Sequence, residues 1–252
     1  TATSSAALTI SAVGLSAPTG LSTRCAGTTF NVTNNLAGTC SFGTGNTFTV
    51  QLSDGAGSFV SPVNIGSNNT TSGGNISVTL PSTTAGSASY RVRVVSTNPA
   101  ITSAQSAAFT ITALGINAPT VSASFCQGAS FNVTNNLATA CSFGVGNTFT
   151  VQLSDQFGSF ASATNIGSVT SGSGGAIPVS IPTNQTAGTV YRMRVVSSNP
   201  VITGNQTGNL TINSPGLNAP TGLSTQCAGA TFNITNNLTG CSFFPGNTFT
   251  VQ

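Results

Sequence analysis

The feature that most constrains this chain is an internal repeat. Cys25, Cys126 and Cys227 follow one another at intervals of 101 residues, and the segment GNTFTVQLSD begins at both Gly45 and Gly146. Self-similarity at a fixed period indicates an array of like units, and about 100 residues is the size of one small sandwich domain. We therefore expect tandem domains rather than one large core.

The repeat does not divide the chain evenly. One full copy spans residues 14–113 and a second spans 114–215, whereas 1–13 match the end of a copy and 216–252 match only its first third. We interpret 1–13 as the C-terminal strand of a preceding repeat and 216–252 as the N-terminal third of a following one. The simplest explanation is a window of a longer array. The alternative is a subunit whose split ends are completed by neighbours through strand exchange.

The hydrophobic pattern predicts the fold class. In the segments 47–52, 90–94 and 109–112, apolar and polar residues alternate with a period of two. Such alternation indicates antiparallel strands with one buried face, and the Gly, Pro, Asn and Ser residues between them mark turns. We predict an all-β fold of tandem immunoglobulin-like β-sandwich repeats of about 101 residues. Tyr90 and Tyr191 precede valine-rich strands, as the tyrosine of a tyrosine corner does.

The scarcity of charge limits the chemistry open to the chain. The 252 residues include five Arg, two Asp and no His, Lys or Glu, which leaves almost no candidates for general acid–base catalysis near neutral pH. Asp54 and Asp155 lie at equivalent places in different copies, so one copy lacks the carboxylate pair of a glycosidase. We interpret both as turn residues and predict no enzymatic activity and no catalytic residues.

The same composition excludes several kinds of partner. The net charge of +3 is too small and too sparse for a nucleic-acid surface. No apolar run approaches the ~20 residues needed to span a bilayer. Calcium usually needs several carboxylates, and each copy has one, so we predict no metal site and no cofactor.

Cysteines occur twice in each copy, 14 or 15 residues apart. The pairs within copies are Cys25 with Cys40, Cys126 with Cys141, and Cys227 with Cys241. We predict one local disulfide per repeat, worth ~3 kcal/mol in the chain-entropy model. A metal site would need accompanying CxxC or His ligands, and bridges between chains are the remaining alternative. Disulfides indicate an oxidising, extracellular compartment.

Two further sets of residues are candidates for binding or modification. Arginines alternate along one strand of each full copy, where they would form a ladder for an anionic ligand or surface, or a plain solvated sheet face. These are Arg91, Arg93, Arg192 and Arg194. Three asparagines match the N-glycosylation pattern, which also arises by chance in a chain rich in Asn, Ser and Thr. These are Asn31, Asn132 and Asn233.

Several words of the repeat together resemble a known kind of sequence. NTFTVQLSD is followed by GSF, by N-x-G-S, by AG-x-x-YR-x-RVVSSNP-x-x-TG and by LTI. This series is similar to the immunoglobulin-like tandem repeats of very large secreted and cell-surface proteins of the Bacteroidota, many of which leave by the type IX secretion route. The resemblance covers the whole chain and implies adhesins, stalks or filaments. The cysteine pair is not a feature of every such repeat, and the scarcity of acidic residues argues against stiffening by calcium.

Together these observations predict a structural role. We expect a non-enzymatic repeat of a long extracellular filament, stalk or adhesin shaft, located at the cell surface or in a secreted filament. Its partners would be neighbouring repeats or copies of itself, joined through uncharged surfaces rich in Ser, Thr and Asn. The alternative is a multivalent adhesin module that binds carbohydrate, another surface or ice.

Overall fold

The structure is a computed structural model that describes residues 10–243 and 246–251, and every regular element in these residues is a β-strand. Of the predicted tail 1–13, residues 1–9 lie outside the described residues. The strands are β1 Gly14–Leu15, β2 Arg24–Cys25, β3 Thr29–Asn34, β4 Leu36–Ala37, β5 Thr47–Leu52, β6 Val63–Asn69, β7 Gly74–Thr79, β8 Ser87–Tyr90, β9 Val92–Ser96, β10 Phe109–Thr112, β11 Ser124–Cys126, β12 Ser130–Asn135, β13 Thr148–Leu153, β14 Thr164–Thr170, β15 Gly175–Ser180, β16 Gly188–Tyr191, β17 Met193–Ser198, β18 Val201–Gln206, β19 Leu210–Asn213, β20 Pro215–Leu217 and β21 Leu238–Gly240. The predicted all-β, immunoglobulin-like class is confirmed.

The chain forms two compact units whose limits differ from the sequence period. The first unit runs to Leu114 and also includes residues 139–142, and the second comprises residues 115–138 and the chain from Phe143 onward. Four residues that the period assigns to the second copy therefore belong to the first unit. The repeat boundaries named above stay a prediction about the array.

The first unit is a sandwich built from three groups of strands. Strand β3 pairs with β7, β5 lies between β6 and β9, and β10 lies between β8 and β2, with β2 and β10 parallel. The apolar positions of these strands share one core, in which Val32 and Ile76 from the first group join Phe48 and Val94 from the second. Each of these four side chains is at most 2% exposed. The core therefore lies between the β3–β7 and β5–β9 layers, as the alternation predicts.

The second unit repeats this arrangement. Strand β12 pairs with β15, β13 lies between β14 and β17, and β19 lies between β16 and β11. Its core includes Val133, Phe149, Ile177 and Val195, all fully buried. One edge differs, because β18 adds to β17 here, whereas the first unit has only an isolated bridge between residues 95 and 102.

The two tyrosines form the predicted tyrosine corners. The Tyr90 hydroxyl donates a hydrogen bond to the Ala85 carbonyl at 3.0 Å, and the Tyr191 hydroxyl donates one to the Thr186 carbonyl at 2.7 Å. Both tyrosines are buried. Burial, followed by the nearby charge of Asp54, raises the pKa of Tyr90, in the direction that favours the neutral hydroxyl.

Short strand pairs mark the start of the copies. β1 pairs antiparallel with β4, so that Gly14 lies opposite Ala37, and β20 pairs in the same way with β21. In both cases the segment that leads to the second cysteine of a copy lies beside the segment that enters the copy. This placement decides where the second cysteine can form a bond.

Candidate functional site

The disulfides join successive copies of the repeat, and the predicted local pairing is wrong. Cys25 is bonded to Cys141 and Cys126 to Cys241, at sequence separations of 116 and 115. In each bond the Cα atoms are 5.7 Å apart. The first cysteine of one copy is thus bonded to the second cysteine of the next copy.

The last strand of a copy brings the bonded cysteines together. In the first unit, β2 and β10 run in parallel with Cys25 opposite Thr112. The Cys141 sulfur lies 3.9 Å from the carbonyl oxygen of the same Thr112. The second unit has the same geometry, with Cys126 opposite Asn213 and the Cys241 sulfur 3.5 Å from the Asn213 carbonyl.

The strand between the two cysteines of a copy separates them in space, so they do not bond to each other. Six residues of β3 extend over about 20 Å between Cys25 and Cys40. After β3, the β1–β4 pairing holds the chain beside the entry to the copy, where the Cys40 thiol donates a hydrogen bond of 3.4 Å to the Ser11 carbonyl. Ser11 lies 101 residues before Thr112. Cys40 therefore occupies the position that Cys141 occupies one copy later.

Two cysteines are free in the structure. Cys40 is half-buried and Cys227 is exposed. In the observed pattern, Cys40 would bond to the first cysteine of a preceding copy, and Cys227 would bond to the second cysteine of a following copy. Sequence reasoning missed this pattern because the period of 101 residues allows separations of both 15 and 116, and nothing in the local sequence chooses between them.

The first arginine of each predicted ladder binds within its own unit. The Arg91 guanidinium donates from Nη1 to the Ser106 carbonyl at 2.9 Å. Arg192 donates from Nε to the Asn209 side-chain oxygen at 3.2 Å. Both arginines are half-buried. Each guanidinium thus uses one of its donors to bind the segment that precedes the last strand of its unit.

The second arginine of each ladder belongs to a cluster that recurs in both units. In the first unit Arg93 donates from Nε to Gln51 Oε1 at 2.8 Å, its guanidinium carbon lies 4.6 Å from the centre of the Phe59 ring, and Gln51 donates to Asn64. The equivalent residues of the second unit are Arg194, Gln152, Phe160 and Asn165, with 2.9 Å and 4.2 Å for the same two distances. We call these the Arg–Gln–Phe clusters. The anionic-ligand role of the arginines stays a prediction.

The candidate glycosylation sites are accessible. Asn31 in β3, Asn132 in β12 and Asn233 in the third copy are all exposed. An accessible side chain is what a glycosylating enzyme requires, and modification itself stays a prediction.

The two aspartates form turns, which confirms their interpretation. One carboxylate oxygen of Asp54 accepts hydrogen bonds from the backbone N–H groups of Ala56 and Ser58, at 3.0 and 2.8 Å. Asp155 accepts the equivalent pair from Phe157 and Ser159. These carboxylates are therefore used to close the turn after the central strand of each unit.

Buried asparagines were not singled out from the sequence as structural residues. Asn147 Oδ1 accepts hydrogen bonds from the N–H groups of Ser198 and Asn199, and its Nδ2 donates to the Ser171 carbonyl at 2.8 Å. Asn46 makes the equivalent contacts in the first unit. The available signal was their recurrence before the TFTV strand in every copy.

The described residues contain neither a metal-binding cluster nor a membrane-spanning helix. Among residues 10–243 and 246–251, no three side chains of His, Cys, Asp or Glu come close enough to hold a metal ion together. Within the same ranges no helix has the length and apolar character needed to cross a membrane.

Comparison with known proteins gives structural similarities alone. No family model matches the sequence, and no curated protein matches it. The chain is similar to the I9–I11 tandem of titin at 11% identity and a TM-score of 0.37, over 83% of this chain and 69% of that one. It is similar to the FN1–FN3 domains of chicken CNTN1 at 16% identity and a TM-score of 0.31, over 79% and 66%.

A third similar structure is described as the BSP domain of a biofilm-associated protein. The identity is 14% and the TM-score 0.23, and the match covers 79% of this chain. The chain spans 29% of the length of that structure.

Proposed function

We propose that this chain is a non-enzymatic structural segment of a long extracellular filament, stalk or adhesin shaft. The observation that carries the proposal is the disulfide pairing, in which Cys25 and Cys126 each bond to a cysteine of the following copy. A domain that worked alone would gain stability from a bridge within its own copy. Bonds that link successive copies instead make an array one covalently reinforced object, which suits a mechanical role.

The free cysteines support an array that continues in both directions. Cys40 already lies against the Ser11 carbonyl in the position of a bonded second cysteine, and Cys227 is an exposed first cysteine. The partners we propose are therefore neighbouring repeats or further copies of the chain. Each end would form the bond that Cys25 and Cys141 form within this segment.

An extracellular location fits the same bonds. Disulfides persist in oxidising compartments and are rare where glutathione and thioredoxin keep thiols reduced. The resemblance of the repeat words to those of secreted Bacteroidota proteins points to the same compartment, with export by the type IX route. We propose a location at the cell surface or in a secreted filament.

The surface chemistry supports contacts between copies. With seven charged residues in 252, neighbouring copies repel one another little. Contacts through Ser, Thr, Asn and backbone groups would then depend little on salt, because there is little charge to screen.

Electron microscopy of the native material tests this proposal. We expect filaments or strands with a regular subunit repeat, unchanged between low salt and about 1 M salt, where the Debye length falls to about 3 Å. Compact, separate particles of one short chain would contradict the proposal. Filaments that dissolve on addition of salt would contradict the uncharged contacts.

The second candidate is a multivalent adhesin module, and the Arg–Gln–Phe clusters favour it. Each cluster presents a guanidinium, two amides and an aromatic ring at the surface of its unit, and it recurs with nearly the same geometry. Such groups recognise polar or anionic ligands such as glycans, and repetition would multiply a weak affinity.

A glycan array and an ice-recrystallisation assay separate the two candidates. Specific binding by the chain, lost when Arg93→Ala and Arg194→Ala are combined, would favour the adhesin module. The matched control is Arg24→Ala, because Arg24 lies over the Phe30 ring outside the clusters. Absence of specific binding leaves the structural role as the better explanation.

A further inference from the structure

We propose that the two disulfides create a covalent path for mechanical tension that bypasses most of both sandwiches. The oxidised chain would then resist extension even after its domains unfold. This inference deepens the structural role proposed above and rests on it for its biological meaning. The path itself follows from the bonding pattern alone.

The shortest covalent route through the chain can be traced directly. It runs from the N-terminal residues to Cys25, crosses to Cys141, returns along the chain to Cys126, crosses to Cys241 and continues to the end. The return is possible because Cys126 lies within the loop that the first bond closes. Residues 26–125 and 142–240, which include most strands of both units, lie off this route.

Overlap of the two loops is what shortens the route. Between Cys25 and Cys241 the route follows the backbone only from residue 126 to residue 141, which is 15 Cα-to-Cα intervals, and crosses two disulfides whose Cα atoms are 5.7 Å apart. At about 3.5 Å per residue this part cannot exceed about 65 Å, whereas the full chain between the same cysteines extends to about 760 Å.

One strand of the second unit carries the load on this route. Strand β12 lies between Cys126 and Cys141 and forms an antiparallel ladder of six residue pairs with β15. Its central residue Val133 is fully buried. Tension that reaches both cysteines would pull on β12 along its length, and the extended backbone of this strand would carry the tension covalently.

Force spectroscopy of single molecules tests the path. The complete chain is held by peptide tags at its two ends and pulled until the shortest covalent route between the ends is straight. The measured quantity is the end-to-end length at that point. We expect the oxidised chain to reach about 190 Å and the chemically reduced chain about 880 Å. Local pairing within copies would instead allow about 740 Å, so the measurement distinguishes the two bonding patterns.

Single substitutions give a sharper test. Cys25→Ser removes the first bridge and Cys126→Ser removes the second, and each variant should reach about 480 Å. Cys40→Ser is the matched control, because Cys40 is free, and it should reach the same ~190 Å as the unaltered chain. The lengths refer to straightened chains, so a variant that fails to fold still gives a result.

The outcomes separate this inference from the proposed function. An oxidised chain that reaches 740 Å or more, or a length unchanged by Cys25→Ser, overturns the covalent path. Filaments seen by microscopy together with that result would leave the structural role intact. A limit of about 190 Å in material that never forms filaments would support the path and count against the filament.

Discussion

The segment GNTFTV occurs three times in this chain with two different structures. At 45–50 and 146–151 it enters strands β5 and β13, where Phe48 and Phe149 are fully buried. At 246–251 the same six residues form no strand, and Phe249 is 43% exposed. The sequence is identical, so local propensity does not explain the difference.

The partners of the segment explain it. β5 pairs with β6 on one side and β9 on the other, and β13 pairs with β14 and β17 in the same register. Residues 1–252 contain no equivalents of these partners after the third segment. Strand formation here therefore depends on cross-strand pairing and shared burial more than on the preference of Thr, Phe and Val for extended backbone.

The third copy retains those contacts of the complete copies that join residues close in sequence, and it retains the disulfide. Strands β20 and β21 pair as β1 and β4 do, and the Phe243 and Phe249 rings meet edge to face at 5.1 Å. The corresponding ring pairs of the complete copies lie at 4.8 and 4.9 Å. The copy is also held by the bond of Cys241 to Cys126. A groove of about 330 Å³ remains beside Phe249 and Ile234.

The largest expected effect tests the covalent tie of the third copy. Cys241→Ser opens a loop of 115 residues and should lower the free energy of unfolding of the second unit by about 5 kcal/mol in the chain-entropy model. Cys227→Ser in the same copy should change it by less than about 0.5 kcal/mol, because that thiol is free and exposed. Denaturant titration under non-reducing conditions measures both. Equal effects of the two substitutions would refute the observed pairing.

The next effect compares the same phenylalanine in its two environments. Phe149→Ala should destabilise the second unit by about 3–5 kcal/mol, because it empties a fully buried site. Phe249→Ala should cost less than about 1 kcal/mol, since 43% of this residue is already exposed to water and the substitution empties no enclosed site. Urea unfolding of the two variants gives the values. Similar costs would mean that the third segment is packed like the other two.

A chain that supplies the missing partners should remove the difference altogether. When residues 153–215 are repeated after Gln252, the third segment gains the equivalents of β14 to β19. We expect the amide of Phe249 to exchange its hydrogen at least about a hundredfold more slowly, as a paired strand amide does. The control is an extension of equal length made of Gly and Ser. Equal exchange in both extended chains would show that partners are not what the segment lacks.

The smallest effect concerns the buried asparagine that precedes the segment. Asn147→Ala removes two hydrogen bonds from the backbone N–H groups of Ser198 and Asn199 and one to the Ser171 carbonyl, and it should cost about 2 kcal/mol. Asn247 is exposed, and Asn247→Ala should change stability by no more than about 0.5 kcal/mol. Thermal unfolding followed by circular dichroism compares the two. If Asn147→Ala left the stability unchanged, Asn147 would not be a residue that stabilises the fold.

Features that depend on neighbouring residues were predictable from the sequence. The alternation in TFTVQL places Phe48, Val50 and Leu52 in the core, and the Asp54 turn and the Tyr90 corner are where the pattern predicts them. Each of these depends on residues a few positions apart or on a period of two. Local chemistry decides such features, so one copy of the repeat was sufficient.

Features that depend on distant segments were not predictable. The cysteine pairing depends on where β3 and the β1–β4 pair carry Cys40, which the spacing of 15 residues does not reveal. The alternation predicts Arg91 and Arg93 in one strand, whereas Arg93 lies in β9 and Arg91 lies between β8 and β9. The contact of Arg93 with Phe59 and Gln51 joins segments tens of residues apart. These features needed the folded chain.

The interlocked bridges have a consequence for damage. Because the loop closed by Cys25 and Cys141 overlaps the loop closed by Cys126 and Cys241, a single break of the backbone anywhere between Cys25 and Cys241 leaves the molecule in one piece. Bridges confined to each copy would let a protease sever the chain wherever no bridge spans the cut. A surface thread built on this pattern would survive isolated nicks by enzymes or abrasion without parting.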